Sequence, residues 1–255
     1  MVTKGKHSVG GIVKKTVVQA LLVALFVLAS SFSWAAKKPE APKGGSQTVD
    51  AGSFGIYKSG HRVATETFHI EQNADSSTTT SEFKLEDGSA HQVSELLLSP
   101  LGELRKYSWH EEKGGPAQAT VTPSDQILME HMVDSDQKPH DVPFILPPST
   151  TILDDYFFVH RELLLWKYVA SSCASFVDCK LSKSSIGVIN PHQADSYTVN
   201  LEYVGQEKIT IRGTEQQLRR FNLKSDDDDW ALWMDDHMKL VRLMKPGSDT
   251  EIVRD

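Results

Sequence analysis

Residues Ile152–Ala170 read ILDDYFFVHRELLLWKYVA, the one long stretch of the chain with a helical pattern. Thr151 stands where an N-cap would. Asp154 falls at the third helical position, where a carboxylate meets unpaired N–H groups and the positive end of the helix dipole. Pro147 and Pro148, just upstream, stop any preceding strand. At about 100° per residue, Ile152, Leu153, Tyr156, Phe157, Val159, Leu163, Leu164, Trp166 and Tyr168 spread over a broad apolar face, while Asp154, Asp155, Arg161 and Glu162 gather opposite. A second apolar line, Phe158, Leu165 and Val169 at i, i+7 and i+11, runs through that charged sector. A helix apolar on both sides needs two things to pack against. Strands are expected on one side. The other side takes either a covering loop or a lipid, ligand or partner, which makes Phe158, Leu165 and Val169 candidate ligand contacts.

Around this helix the chain reads as short strands with period-two alternation. Phe54–Lys58 and Arg62–Ile70 flank Ser59-Gly60, a hairpin turn. Thr78–Leu85, Gln92–Leu98, Leu104–His110, Ala117–Thr122 and Gln126–Val133 follow, separated by Gly-containing turns. Beyond the helix come Ser196–Val204, Glu207–Arg212, Gln217–Leu223, Trp230–Met234, Lys239–Met244 and Glu251–Arg254, with turns expected at Gly205 and Gly213. The pattern predicts a mainly β fold with one central α-helix: a large curved antiparallel sheet, or an open or closed β-barrel, wrapped around that helix.

Four runs carry a resemblance: GSFGIYKSGHRVATETFHI near the start, LDDYFFVHRELLLWKY after the Pro-Pro pair, INPHQ at 189–193, and WALWMDDHMKLVRLMKP followed by EIVRD at the close. Together they resemble uncharacterised exported bacterial proteins of unknown function whose sheets are similar to the half-barrel of the periplasmic lipoprotein carriers, the LolA/LolB-like fold. The resemblance covers roughly residues 52–255 and is one of layout rather than of a catalytic signature. It implies a curved sheet around a helix, with an apolar concavity that takes acyl chains.

Residues 1–35 have the anatomy of a signal peptide. Lys4, Lys6, Lys14 and Lys15 make a basic start, Val17–Leu28 an apolar stretch, and Ser33-Trp34-Ala35 a site of small residues for cleavage after Ala35. The alternative is an uncleaved anchor, since the uncharged run Thr16–Ala36 is long enough to span a bilayer. Residues 36–51, rich in Pro, Gly and Lys, read as a disordered linker, leaving 52–255 as a single β-rich half-barrel domain. The expected location is periplasmic or secreted, or N-terminally anchored and facing the periplasm. After cleavage no stable membrane span is expected. The formal net charge of −7 becomes more negative once four lysines leave with the signal, which argues against nucleic acid as a partner. The two cysteines, Cys173 and Cys179, follow the helix directly, and an oxidising compartment favours their pairing across its exit.

Motifs for chemistry are sparse. On the strand Arg62–Ile70, Arg62, Ala64, Glu66, Phe68 and Ile70 share one face under strict alternation, which sets Glu66 among apolar residues with Arg62 on its side. Such a carboxylate is either paired within the fold or a polar anchor in a ligand cavity, so Glu66 and Arg62 join the candidate ligand-binding residues. The ten histidines do not form the His-Glu-x-x-His arrangement that presents two imidazoles to zinc. Asp226–Asp229 resembles a calcium loop only superficially, because the sixth position, where glycine is needed, is Ala231. No Gly-x-Ser-x-Gly occurs. No metal, no cofactor and no catalysis are expected. The reading that results is a non-catalytic exported protein binding a lipid, acyl chain or other apolar ligand. The alternative is an envelope scaffold that binds a protein partner through the helix and a sheet edge.

Overall fold

The computed structural model describes residues 45–113, 115–173, 180–226 and 228–255. The expected signal peptide, most of the expected linker and Cys179 lie outside them. A run of strands opens the fold: β1 (Gln47–Lys58), β2 (His61–Gln72), β3 (Ser77–Leu85), β4 (His91–Leu98), β5 (Leu104–Lys113), β6 (Gln118–Ser124), β7 (Ile127–Val133) and β8 (Pro139–Phe144). Then come β9 (Thr151–Ile152), helix α1 (Val159–Ser172), and β10 (Ser184–Asn190), β11 (Asp195–Ile211), β12 (Thr214–Lys224), β13 (Asp229–Met234), β14 (Leu240–Met244) and β15 (Thr250–Arg254). All fifteen strands belong to one open sheet in the order β8-β7-β6-β5-β4-β3-β2-β1-β15-β14-β13-β12-β11-β10-β9.

The order explains itself from local pairing. β1 to β8 are a meander growing outward, and β10 to β15 are a second meander growing back until β15 pairs antiparallel with β1, Ile56 opposite Ile252. Only six residues lie between Phe144 at one edge and Thr151 at the other, a reach of at most ~25 Å of extended chain. The sheet therefore curls until its edges approach without pairing, and α1 is held inside the curl. The expectation of a mainly β fold wrapped around one helix is what the structure shows, in its open form.

Alternation places the inner face. Phe54, Phe68, Ile70, Tyr107, Val121, Leu128, Leu201, Phe221, Leu232 and Ile252 are all buried, and with Leu164 and Leu165 of the helix they form one continuous core. The hairpin turn is as read: Ser59 and Gly60 both take positive φ (51° and 77°), the pairing of a two-residue turn that matches strand twist. At Gly205 the expectation fails. No turn occurs there; β11 runs through it, and Gly205 takes φ 140° at a register shift between Tyr203 and Gly205. Glycine at that backbone angle absorbs a bulge instead of ending the strand. Past the bulge, Ile211 and Leu218 pack with Trp233 and Val253 in a second, smaller apolar cluster.

The helix is shorter than its sequence pattern. It starts at Val159, not after Thr151, and Thr151-Ile152 pair in parallel with Val188-Ile189 as an edge strand. Between them Leu153 N–H donates to the Ile189 carbonyl (2.9 Å), and the Asp154 side chain accepts the N–H of Tyr156 (2.9 Å). An Asp that closes a turn on its own backbone competes with the helix, so the dihedral pattern breaks here despite the apolar periodicity. The linker too ends earlier than expected. β1 begins at Gln47, and Asp50, which looks like solvated linker, is 1% exposed because it is paired inside the fold.

Candidate functional site

Three buried carboxylates seat the helix. Glu66, from β2, accepts the N–H groups of Phe158 (2.7 Å) and Val159 (3.2 Å) and the hydroxyl of Ser81 (2.7 Å). Nothing on the helix itself caps its N-terminus, so a side chain from the sheet does. Burial pushes Glu66 up to about 7, against the hydrogen bonds that favour its ionised form. Asp154 accepts from the Tyr107 hydroxyl (2.7 Å) and lies 2.7 Å from Nδ1 of His192, whose ring stacks on Trp109 with centroids 3.7 Å apart. Burial pushes its carboxyl up, but His192, His160 and the Tyr156 N–H together hold it low. Glu162, in the first turn of α1, accepts the Leu240 N–H (3.1 Å) and lies 3.3 Å from the Arg254 guanidinium, which also meets Asp50 at 2.6 Å. Burial, then the neighbouring Asp50 carboxylate, pushes Glu162 up to about 9. Bonds from Glu162, Lys239 and Arg254 hold Asp50 low against burial.

Of the four charges read as lying opposite the apolar face, Asp154, Arg161 and Glu162 are thus inside, and Asp155 is exposed. Arg161 is 4% exposed, donates to the carbonyls of Asp154 and Phe157, and lies 4.9 Å over the Phe158 ring. With every residue from Val159 to Leu165 buried, the first half of α1 has no outer face at all.

The second half does. Leu163, Trp166, Lys167 and Ala170, at i, i+3, i+4 and i+7, turn one face toward the ends of β1 to β4, where Val49, Ile70, Leu96 and Leu98 face them across a pocket of about 540 Å³. Ile152 and the loop Ser99–Gly102 close its sides, and Leu101, 84% exposed, stands at the rim. The walls are mainly apolar, and the size is that of a small-molecule site, roughly 300–1,000 Å³. Trp166 is fixed by its indole N–H, which donates to the Met238 carbonyl (2.6 Å). Lys167 is the charged group of the lining. Its ammonium donates to the Ser149 carbonyl and to Thr151 Oγ1 (3.1 Å), and among the described residues it makes no ion pair. Burial pulls its pKa down, opposed by the charge of Glu103.

Two further hollows differ in chemistry. One, about 1010 Å³, lies across β1 to β5 and is lined by Phe68, Val93, Ser53, Thr67, Thr80 and Ser108, with His69, Glu82, Glu95, Lys106 and His110 around them. A third, about 510 Å³, is polar, with Asp155, Asn190, Asp195 and Asp228 around Arg161. Of the three, the pocket of about 540 Å³ has the most apolar walls.

The five residues expected to bind a ligand are not gathered around one cavity. Leu165 is fully buried in the core, Val169 is half-buried against it, and Phe158 packs edge-on to Trp230 (6.2 Å) at the border of the polar hollow. The line at i, i+7, i+11 packs within the fold, and the pocket lies on the Leu163–Ala170 face instead. Glu66 is a helix cap. Arg62 does not share its face: a register shift pairs Ile56 with Ala64 but Tyr57 with Arg62, so the strand carries an extra residue at Val63 and alternation resets. Arg62 turns instead to the Tyr57 hydroxyl (3.1 Å) and to Asp255. The guanidinium covers Gly55 so closely that it leaves no room for a Cβ there. Cys173 ends the helix, its N–H donating to the Val169 carbonyl (2.9 Å), and its expected partner Cys179 lies outside the described residues.

The residues missed were those whose signal is a mismatch with their surroundings. Lys167 is the lone cation in LLLWKYVA, and INPHQ supplies both His192 and Asn190, whose side-chain amide donates to Asp155 (2.7 Å).

An open antiparallel sheet curled around one helix is a β-barrel-like architecture. In fold the chain is similar to a crystal structure of the β-barrel-like protein of the domain of unknown function DUF1849 from Brucella abortus, at 10% sequence identity and a TM-score of 0.48, over 80% of this chain and 95% of that one. No family model matches the chain, and no curated protein matches it.

Proposed function

We propose that this protein is a non-catalytic binding protein that handles an apolar ligand, such as a lipid or acyl chain, in the cell envelope. The observation that carries the reading is the pocket of about 540 Å³ whose helical wall is Leu163, Trp166 and Ala170 and whose opposite wall is Ile70, Leu96 and Leu98. Water in such a space makes few hydrogen bonds, and a hydrocarbon chain that displaces it gains ~0.8 kcal/mol per methylene. The signal-like N-terminus supports a periplasmic or secreted setting. The likeness of layout to the lipoprotein-carrier half-barrel supports a ligand held between sheet and helix, as an analogy of fold.

Docking of a protein partner along a sheet edge has less support. Edge strand β8 carries Pro139 and Pro143, which have no N–H to offer, and edge strand β9 is two residues long. The test is native mass spectrometry of the protein purified from its own envelope, with lipid extraction of the same sample. A co-purifying lipid or fatty acid released on unfolding is the expected result. A ligand-free protein that also fails to take up an apolar fluorescent probe overturns the reading.

A further inference from the structure

We infer that the ligand of this pocket is a single-chain amphiphile with an anionic head, the chain lying between α1 and β1 to β4 and the head held by the ammonium of Lys167. The inference rests on the binding function proposed above and adds the chemistry of the head group.

A lysine drawn out of water normally acquires a carboxylate, because an uncompensated charge at low dielectric is unfavourable. Asp50 shows the rule in this protein: it is buried and meets both Lys239 (2.5 Å) and Arg254 (2.6 Å). Lys167 breaks it. It is half-buried, its partners are a neutral carbonyl and a neutral hydroxyl, and among the described residues it makes no ion pair. Those two oxygens hold the side chain in place, while an ammonium carries three donors, so one remains for a ligand. The position is equally particular. Lys167 lies on the pocket face of α1, one helical position from Trp166, with Leu163 and Ala170 a turn to either side, so an anion bound to it has hydrocarbon walls beside it. A volume of about 540 Å³ suits one chain rather than two. Carboxylate and phosphate monoester heads share the required chemistry: a compact anion presenting several acceptor oxygens to a point charge.

The experiment compares tetradecanoate, tetradecyl phosphate and tetradecanol as competitors of an apolar probe bound to the full-length protein at pH 7.5, with unsubstituted protein and with Lys167→Gln, Lys167→Arg and Ala170→Phe. Thermal melts check that each variant is folded. Unsubstituted protein is expected to bind one or both anions at least tenfold more tightly than the alcohol, and which anion is preferred identifies the head. Lys167→Gln should reduce that preference to threefold or less while leaving the alcohol unchanged. Lys167→Arg, which keeps the charge, should retain it. Ala170→Phe, which fills the pocket, should weaken all three together. Each methylene removed from the chain should weaken binding ~4-fold, the equivalent of its transfer free energy. Equal binding of anions and alcohol, or a preference that survives Lys167→Gln, overturns the head-group assignment and leaves apolar binding standing. Failure of all three to bind overturns both. If Lys167→Gln does not fold, a preference unaffected by raising the salt concentration in the unsubstituted protein overturns the assignment in its place.

Discussion

Glu66 on strand β2 and Val159 at the start of α1 lie 93 residues apart, and the carboxylate of the first accepts the backbone N–H of the second at 3.2 Å. With the N–H of Phe158 on its other oxygen at 2.7 Å, Glu66 is the N-terminal cap that the helix does not carry itself. Helix position is thereby set by the sheet. Removing the cap leaves buried donors without partners, so Glu66→Ala is expected to destabilise the fold by ~3 kcal/mol or more, and Glu66→Gln, which keeps one acceptor, by less. Urea melts of the two variants rank them; equal losses would mean that the side chain's bulk, not its acceptors, matters.

Stability should fall as pH rises. Glu66, Glu130 and Glu162 are pushed up to about 7, about 8 and about 9, in each case chiefly by burial. A carboxyl with a raised native pKa contributes stability that is complete below the unfolded value of about 4.5 and is lost as pH passes through the native value. His160, pulled down to about 4 by burial, acts in the other direction, but only below its unfolded value of about 6.5. From pH 6.5 to 9 the three carboxyls set the trend, at roughly 1.4 kcal/mol per pH unit for each one still protonated in the native state, with the lowered Lys167 acting against them toward the alkaline end. Melting temperatures across that range should decline, and Glu66→Gln should flatten the decline. A rising or level profile would mean that these carboxyls are ionised in the fold.

Leu165→Ala and Ala170→Phe separate core from pocket. Leu165 is fully buried, so its truncation should lower stability by roughly 2–5 kcal/mol and reduce probe binding only through unfolding. Ala170 is exposed on the pocket face, so the larger residue should leave stability within ~0.5 kcal/mol and abolish binding of an apolar probe. The reverse outcome would restore the Phe158–Leu165–Val169 line as the ligand contact.

Trp166→Ala removes both a pocket wall and the hydrogen bond to the Met238 carbonyl. Loss of roughly 3 kcal/mol in a urea melt is expected, together with weaker probe binding by the folded fraction. A stability loss with binding intact would take Trp166 out of the site.

Cys173 and Cys179 are expected to be bridged in protein matured by export. Thiol labelling of the unreduced, denatured protein should modify neither; modification of both would also count against the export reading.

Strand content, the central helix and most turns could be read from residues 45–255 because they follow from local rules: alternation of apolar residues, and a positive-φ pair such as Ser59-Gly60 between two alternating runs. The approximate extent of the helix was legible for the same reason, and so was the burial of Glu66 from its place on an apolar face. What tertiary structure decided is everything that depends on a partner distant in sequence. The helix begins at Val159 and not after Thr151 because Asp154 closes a turn and meets Tyr107 and His192, while Glu66 supplies the cap from another strand. Arg62 faces away from Glu66 because β2 carries an extra residue at Val63, and one added residue reverses the side of the sheet on which every earlier side chain lies. The pocket stripe Leu163, Trp166, Lys167 and Ala170 has the same helical spacing as the core stripes, and periodicity alone gives each of them equal standing. Which stripe meets a packed strand and which meets a space is set by where the sheet ends, a property of how fifteen strands curl that no single stretch of residues carries.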